Sequence, residues 1–284
     1  MPALKEYLWA LLRKLAAPQK PSPPDVLPDI QTRLSSEAYA VISHLLYNYS
    51  NVASLASIAA SEAAPIPTRL AVVLDLDECL VHTQYAGSTY SYSDTVEVAL
   101  SADYIVTVNK RPGVDAFLCS LAEHFDVYLF TSSEAGYANP IVDMLDPTRS
   151  IFRGRFFYDA CVHTHGLHLK DLRRILPYMN QSLSHVILVD NNPISFLPQP
   201  RNGIPLPSFL DDAADRALPL VLDVLLALRH VADVRPCLDR VFHLATALAP
   251  AQSYVASTPE GSCSSTDNVL SESSDSTAMK AVFF

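Results

Sequence analysis

Cysteine is scarce in this sequence, and no two cysteines lie close enough together to form a paired motif. The chain has five cysteines, an odd number, scattered over 284 residues without a CxxC pair. This pattern argues against a disulfide framework and indicates reduced thiols in an intracellular protein. The chain also opens without the succession of basic, apolar and small residues that marks a secretory signal peptide.

Basic residues are in the minority. The sequence has 20 lysine and arginine residues against 30 aspartate and glutamate residues, for a net charge of −10. A chain with this balance does not present a broad basic face, so we expect no nucleic-acid partner. Apolar residues make up 49% of the sequence, which is enough for a large core. The length allows one large α/β domain with tails, or two small domains.

The first 64 residues divide into three segments before the predicted globular domain. Residues 1–17 predict an amphipathic helix, and residues 18–37 a proline-rich linker. Residues 38–64 predict a helix, and no charged residue occurs between positions 38 and 61. The length suits a membrane span, whereas His44, Asn48 and several serines favour a helix lying at an interface or on a partner. Both interpretations are compatible with the pattern.

Residues 65–250 alternate between short apolar segments and helical patterns, which is typical of an α/β fold. The fully apolar opening segment, residues 70–74, indicates a strand buried on both faces of a parallel sheet. We predict further strands at 95–100, 104–109, 126–130 and 185–189, and helices at 112–124, 135–145, 169–179, 215–230 and 234–248. The strands at 95–100 and 104–109 should form a small β-hairpin insertion. Residues 251–284, rich in serine and threonine, predict a disordered tail.

Three predicted strands are each followed by polar side chains: Asp75 and Asp77, Thr131 and Ser132, and Asp190 and Asn191. Because the carboxyl ends of parallel strands meet at one edge of a sheet, these groups should lie together. Clustered carboxylates need a compensating charge, and Mg²⁺ prefers their oxygen atoms. Lys170 lies between the second and third strands and supplies a cation for phosphate oxygens. The set predicts magnesium-assisted phosphoryl transfer, with one aspartate as nucleophile.

Several stretches resemble those of a known superfamily. Asp75-Leu76-Asp77-Glu78 resembles the first motif of the haloacid dehalogenase superfamily, and residues 75–82 are similar to its branch of C-terminal-domain protein phosphatases. Three further stretches resemble the same branch: residues 110–118, Phe130-Thr131-Ser132-Ser133 and Leu188-Val189-Asp190-Asn191-Asn192-Pro193. Within the branch, Arg149-Ser150-Ile151 and residues 228–235 are similar to the nuclear envelope phosphatases of the Dullard type. The resemblance covers about residues 68–248.

The resemblance implies a fold and a role for each site residue. The fold is a haloacid dehalogenase-like, Rossmannoid parallel sheet flanked by helices, without a large cap domain. Asp75 is implied as the nucleophile, and Asp77 as the acid that protonates the leaving oxygen and later activates water. Thr131 and Ser132 are implied to bind the substrate phosphate, with Lys170 stabilising the phosphoenzyme. Asp75, Asp77, Asp190 and Asn191 are implied to hold Mg²⁺.

The expected function is therefore that of a Mg²⁺-dependent protein serine/threonine phosphatase acting on phosphorylated protein segments through an aspartyl-phosphate. The Dullard likeness implies a location at the periphery of the nuclear envelope or endoplasmic reticulum membrane, with a membrane-bound regulatory subunit as possible partner. A soluble nuclear or cytoplasmic protein is the alternative. Tyr137, Phe156, Phe157 and Tyr158 are candidates to line the approach to the site.

The sequence departs from the branch at three positions. Cys79 replaces a threonine, Asn192 replaces the usual serine, and Tyr158 stands where polymerase-tail phosphatases carry arginine. A thiol is a poorer hydrogen-bonding group than a hydroxyl, so the replacement of threonine by Cys79 leaves a second hypothesis open. Under this hypothesis the chain is a catalytically inactive phosphopeptide-binding or scaffold module of the same fold. A small-molecule phosphatase is a third. The spacing of Cys161, His163, His165 and His168 also permits a zinc site, although its alternation favours a strand and loop.

Overall fold

The structure, a computed structural model, describes residues 69–84, 92–164, 167–257 and 282–283. The predictions for residues 1–17, 18–37 and 38–64 lie outside the described residues, as does most of the predicted tail. Within the described ranges, no helix combines the length and the apolar character that crossing a membrane requires.

Eleven strands and six helices are formed by the described residues. The strands are β1 Ala71–Leu74, β2 Val81–Gln84, β3 Thr95–Ser101, β4 Tyr104–Lys110, β5 Asp126–Phe130, β6 Phe152–Phe156, β7 Val162–Thr164, β8 Leu167–Leu169, β9 Val186–Asp190, β10 Gly203–Pro205 and β11 Val282–Phe283. The helices are α1 Val114–His124, α2 Ala135–Leu145, α3 Leu172–Met179, α4 Ala217–Leu228, α5 Val234–Phe242 and α6 Leu244–Ser257.

The central sheet has the order β10-β9-β1-β5-β6-β11. The first five strands run parallel, and β11 pairs antiparallel with β6. Strand β1 lies in the middle and all four of its residues are fully buried, since apolar β-branched residues pack well on both faces of a covered sheet. Leu74 is level with Leu129 of β5 and Val189 of β9, so the residues that follow these strands meet at one edge.

The segment between β1 and β5 forms a small insertion. Strands β2, β4 and β3 pair antiparallel in a second sheet of three strands, with β3 and β4 joined by a tight turn in which Ser101 pairs with Tyr104. Helix α1 follows, burying Val114, Phe117, Leu118 and Leu121 at helical spacing. The predicted parallel sheet flanked by helices, with a hairpin insertion, is confirmed.

Three features of the fold differ from the sequence-based prediction. The single helix predicted at 234–248 is two helices, because His243 adopts a left-handed conformation (φ 52°) that ends α5. The second of them, α6, continues to Ser257, so regular structure extends beyond residue 250. Strands β2, β6, β10 and β11 were not predicted; each has only two to five residues, too few for a clear alternation. The strand and loop favoured by the alternation between Cys161 and His168 correspond to the antiparallel pair β7–β8.

Candidate active site

Asp75 and Asp190 lie side by side where two neighbouring parallel strands end. Asp75 follows β1, and its backbone N–H donates to the Val189 carbonyl of β9 at 3.0 Å. Asp190 is the last residue of β9 and is fully buried, while Asp75 is 7% exposed. The fold thus places two carboxylates in a largely dry setting, where like charges repel strongly.

Lys170 joins these two carboxylates. It follows strand β8, is 2% exposed, and its Nζ atom lies 2.6 Å from Asp75 Oδ1 and 2.6 Å from Asp190 Oδ2. The second oxygen of Asp190 accepts a hydrogen bond from the Asn192 backbone at 2.7 Å. Asp75 and Asp190, predicted from separate strand ends, and Lys170, predicted between two strands, are therefore in direct contact, although Lys170 is 95 positions away from Asp75 in the chain.

The environment of Asp75 and Lys170 shifts the pKa of both side chains. Burial, followed by repulsion from Asp190, raises the pKa of Asp75 to about 8, because one lysine does not offset the neighbouring carboxylates. Burial acts to lower the pKa of Lys170, but the Asp190 and Asp75 carboxylates outweigh it and raise that pKa above its usual range. Lys170 is therefore a permanent cation, and the site has an excess of negative charge.

Asp77 is held by two hydroxyl groups. Ser133 Oγ donates to Asp77 Oδ2 at 2.7 Å, and the Tyr137 hydroxyl donates to Oδ1 at 2.6 Å. The Tyr137 oxygen also lies 2.6 Å from Thr83 Oγ1 of β2. Sequence reasoning missed Ser133 as a contact of Asp77; Tyr137 was considered only as an aromatic lining. The two contacts fix the direction of the Asp77 carboxylate.

The two predicted phosphate-binding hydroxyls occupy different environments. Ser132 lines an open cavity of about 320 Å³ whose wall also contains Asp75, Asp77 and Lys170. Thr131 is 1% exposed, and its Oγ1 accepts a hydrogen bond from the Ser133 backbone at 3.0 Å, which shapes the turn after β5. In the structure, Ser132 is thus the more accessible of the two.

The oxygen atoms around Asn191 fit a hard cation. The Asn191 side-chain oxygen faces Asp75 Oδ2 at 3.1 Å and the Asp77 main-chain oxygen at 3.2 Å, while its nitrogen donates to Ser208 Oγ at 2.9 Å. Oxygen atoms facing one another are stabilised either by turning the amide over or by a cation between them. Carboxylate, amide and carbonyl oxygens are the donors that Mg²⁺ takes in proteins. The residues present therefore suit the implied metal.

The Arg111 side chain stabilises the turn that follows Asp75 and Asp77. Its side chain is fully buried, donates to the Cys79 carbonyl at 3.0 Å and forms two hydrogen bonds of 2.8 and 2.9 Å with Asp215. Glu78, in the same turn, has a left-handed backbone (φ 60°), which costs energy for a residue with a side chain. The Cys79 thiol is buried, and its Sγ lies 3.9 Å from the Val189 carbonyl.

The other residues singled out in the sequence differ in how far their side chains are buried. Phe156 and Phe157 are at most 1% exposed and belong to the core, whereas Tyr158 is 38% exposed. His163 and His168 pair across strands β7 and β8, while His165 lies outside the described residues. Among the described residues, no group of three or more histidine, cysteine or acidic side chains is arranged to hold a metal ion.

Fold and site together define a haloacid dehalogenase-like α/β domain, with paired carboxylates and a lysine at the carboxyl edge of its parallel sheet. A family model described as NLI interacting factor-like phosphatase matches residues 70–235. The chain belongs to this family.

Proteins with similar sequences support the assignment to this family. CTD small phosphatase-like protein 1 of Caenorhabditis elegans is 41% identical over 161 residues, covering 56% of this chain and 31% of the relative. Carboxy-terminal domain RNA polymerase II polypeptide A small phosphatase 2 of Homo sapiens is 36% identical over 174 residues, covering 61% and 62%. CTD nuclear envelope phosphatase 1 of Xenopus tropicalis is 35% identical over 186 residues, covering 62% and 73%.

The chain thus spans less than two thirds of the length of the first two of these relatives. A solved structure of the fission yeast RNA polymerase II CTD phosphatase Fcp1, bound to beryllium fluoride, covers 72% of this chain and 60% of its own length, with a TM-score of 0.39 at 18% identity.

Proposed function

We propose that this chain is a Mg²⁺-dependent protein serine/threonine phosphatase that works through an aspartyl-phosphate. The observation that carries the proposal is the pair of carboxylates at the end of β1. Asp75 contacts Lys170 at 2.6 Å, and Asp77, two residues on, is held by Ser133 and Tyr137 in the same cavity. One carboxylate is thus placed beside a cation, and the other beside hydroxyl groups, which suits two different chemical roles.

In the first step, Asp75 attacks the phosphorus of a phosphoserine or phosphothreonine. A bond forms between an Asp75 oxygen and phosphorus, and the bond from phosphorus to the side-chain oxygen of the substrate breaks. Asp77 gives its proton to that leaving oxygen, so a neutral alcohol departs. Lys170 and Ser132 lie where they can donate hydrogen bonds to the phosphoryl oxygens.

In the second step, the proton moves in the opposite direction. Asp77, now a carboxylate, takes a proton from water, and the hydroxide oxygen bonds to phosphorus. The bond between phosphorus and Asp75 breaks, which releases inorganic phosphate and restores the free carboxylate. The hydrogen bonds from Ser133 and Tyr137 keep Asp77 aimed at the same point in both steps.

Asp75, Asp190, Asn191 and the main-chain oxygen of Asp77 are the residues that would hold Mg²⁺. The ion, when bound, neutralises charge on the phosphoryl oxygens and offsets the repulsion between nucleophile and substrate. Burial, followed by repulsion from Asp190, raises the pKa of Asp75, which is consistent with a site that takes up an additional cation.

A phosphorylated protein segment is the substrate class that the site favours. The cavity is open, and the described residues between β1 and β5 form only a three-stranded sheet and helix α1. A site without a closing domain suits an extended chain better than an enclosed metabolite. The relatives are named as phosphatases of a polymerase C-terminal domain or of the nuclear envelope. Tyr158 in place of arginine weakens the case for the polymerase tail.

Hydrolysis of p-nitrophenyl phosphate tests the mechanism. We expect turnover that requires Mg²⁺, and a loss of about a thousandfold or more in Asp75→Asn, because the amide is not a nucleophile. Asp223→Asn, an exposed aspartate on α4, is the matched control and should keep its activity. Hydrolysis that persists in Asp75→Asn would contradict the proposed mechanism.

The binding-module hypothesis makes a different prediction, motivated by Cys79. It requires a wild-type chain that binds phosphopeptides without hydrolysing them. If so, Cys79→Thr should restore turnover, because it replaces the thiol by the hydroxyl of the branch. Phosphopeptide binding by anisotropy and phosphate release, measured on the same samples, separate the two hypotheses.

We further propose location at the nuclear envelope or endoplasmic reticulum periphery, through residues 1–64 and a membrane-bound subunit. The likeness to a nuclear envelope phosphatase supports this proposal. Fractionation of cells expressing the full chain, or the chain without residues 1–64, tests it. An unchanged partition between membrane and soluble fractions would contradict it.

A further inference from the structure

Three rings form a packed cluster beside the cavity. The rings of Tyr158 and His163 have centroids 4.3 Å apart, those of Tyr158 and His168 5.0 Å, and those of the two histidines 5.1 Å. The histidines face each other across the β7–β8 pair, and Tyr158 precedes that pair in a short 3₁₀ helix. The cluster is therefore built by local strand pairing and has a defined shape.

The cluster is tied to the proposed catalytic groups at two points. His168 lines the same cavity as Lys170 and Ser132. The Tyr158 backbone N–H donates to the Ser133 carbonyl at 3.0 Å, and Ser133 holds Asp77. A peptide whose phosphorylated residue enters the cavity would therefore bring a neighbouring residue over these rings.

The exposure of the rings is selective. The preceding residues Phe156 and Phe157 are buried in the core, but Tyr158 is 38% exposed, and both histidines are exposed. The cluster leaves ring faces open to solvent at the edge of the site, where a ligand can cover them.

The charges around the cavity decide between possible ligands. Asp77 and Glu78 line the wall and repel an acidic residue next to the phosphate. Burial and the neighbouring His163 lower the pKa of His168, so it provides little positive charge for an anion at neutral pH. The cluster then offers aromatic ring surface, which stacks on other rings.

Building on the proposed function, we propose that Tyr158, His163 and His168 form a docking surface for an aromatic residue adjacent to the phosphorylated residue of the substrate. Ring stacking adds an interaction that a small side chain cannot make, so the preference should be about fivefold.

The experiment compares three phosphoserine peptides that differ at the flanking position: tyrosine, alanine or glutamate. The full-length wild-type chain with Mg²⁺ should show a kcat/KM about fivefold higher for the tyrosine peptide than for the alanine peptide, mainly through KM. Tyr158→Ala and His168→Ala should abolish this ratio, and Tyr158→Phe should keep it. Tyr178→Ala, which removes an exposed ring outside the cavity wall, is the matched control and should also keep it.

Equal kcat/KM for the tyrosine and alanine peptides would overturn the inference, as would a preference that survives in Tyr158→Ala. A preference for the glutamate peptide would overturn it in favour of an anion site. If no peptide is hydrolysed, the proposed function fails, and anisotropy with the same peptides decides the inference: tighter binding of the tyrosine peptide that depends on Tyr158 supports it.

Discussion

At the scale of single residues, Asp77 shows how the orientation of a carboxylate is fixed by side chains distant in the sequence. Ser133 and Tyr137 are 56 and 60 positions away, yet each donates a short hydrogen bond to it. Two donors also leave fewer orientations for the carboxylate, which matters for proton transfer to an oxygen at a defined position.

Loss of one of these donors should therefore slow the chemistry more than it weakens binding. We expect Tyr137→Phe to lower kcat by about tenfold, with little change in KM, because misaligned general acid–base catalysis accounts for part of a contribution of about 10² to 10⁴. Steady-state kinetics with p-nitrophenyl phosphate measures both constants. A rise in KM at unchanged kcat would instead place Tyr137 in substrate binding.

Cys79 should be chemically inert despite its position beside the aspartates. Burial, followed by the Asp75 charge, raises the pKa of its thiol well above the usual value, so less thiolate is present at a given pH. Iodoacetamide at pH 8 should modify the exposed Cys119 and leave Cys79 unmodified in the folded chain, as read by peptide mass spectrometry. Rapid labelling of Cys79 would contradict its burial.

At the scale of elements, the Arg111–Asp215 pair connects segments that the chain separates by 104 positions. Arg111 also donates to the Pro207 carbonyl at 2.9 Å, and Asp215 accepts from the Ala217 backbone at the start of α4. The pair therefore joins the turn after Asp77, the segment before α4 and α4 itself. Removing one partner leaves a buried charge without compensation.

Asp215→Ala should accordingly destabilise the fold by about 3–5 kcal/mol. Urea denaturation followed by circular dichroism measures the change, and Asp223→Ala, an exposed position on α4, is the control. The double variant Arg111→Met/Asp215→Ala should lose less than the sum of the single variants, because it removes both charges. Additive losses would show that the two side chains do not interact.

At the scale of the whole molecule, net charge and site charge have the same sign. The chain carries −10 overall, and the carboxylates around Lys170 outnumber it. A raised pKa of about 8 means that the metal-free folded chain keeps a proton on Asp75 that the unfolded chain releases near pH 4. The stability from this group is therefore lost as pH rises between those values.

Mg²⁺ should stabilise the fold more at pH 8 than at pH 6, because it competes with that proton. At a hundredfold excess over its Kd, the gain is about 2.7 kcal/mol, visible as a rise in Tm by scanning calorimetry. Asp75→Asn should remove the dependence on pH, and KCl at matched ionic strength is the control. An equal Tm shift at both pH values in the wild type would contradict this account.

Much of the fold follows from local patterns. The apolar runs of β1, β5 and β9 and the spacing of α1 and α2 predict elements close to those observed, since strand and helix periods are local properties. The polar residues after the strands could likewise be located, because parallel strands end at one edge. The short strands β2 and β10 and the break at His243 could not be predicted, because they depend on pairing partners and on one backbone angle.

The sequence by itself determined the parallel sheet and the positions of Asp75, Asp77 and Asp190 at strand ends, because periodicity and strand direction are enough for that inference. Lys170 was predicted only to lie between two of these strands, and the structure places it after strand β8. Only the tertiary structure decided which hydroxyls reach Asp77, that Arg111 secures its turn, and that Tyr158 faces solvent while Phe156 and Phe157 do not. These are contacts between segments far apart in the chain, and adjacent aromatic residues carry no local signal of which one enters the core.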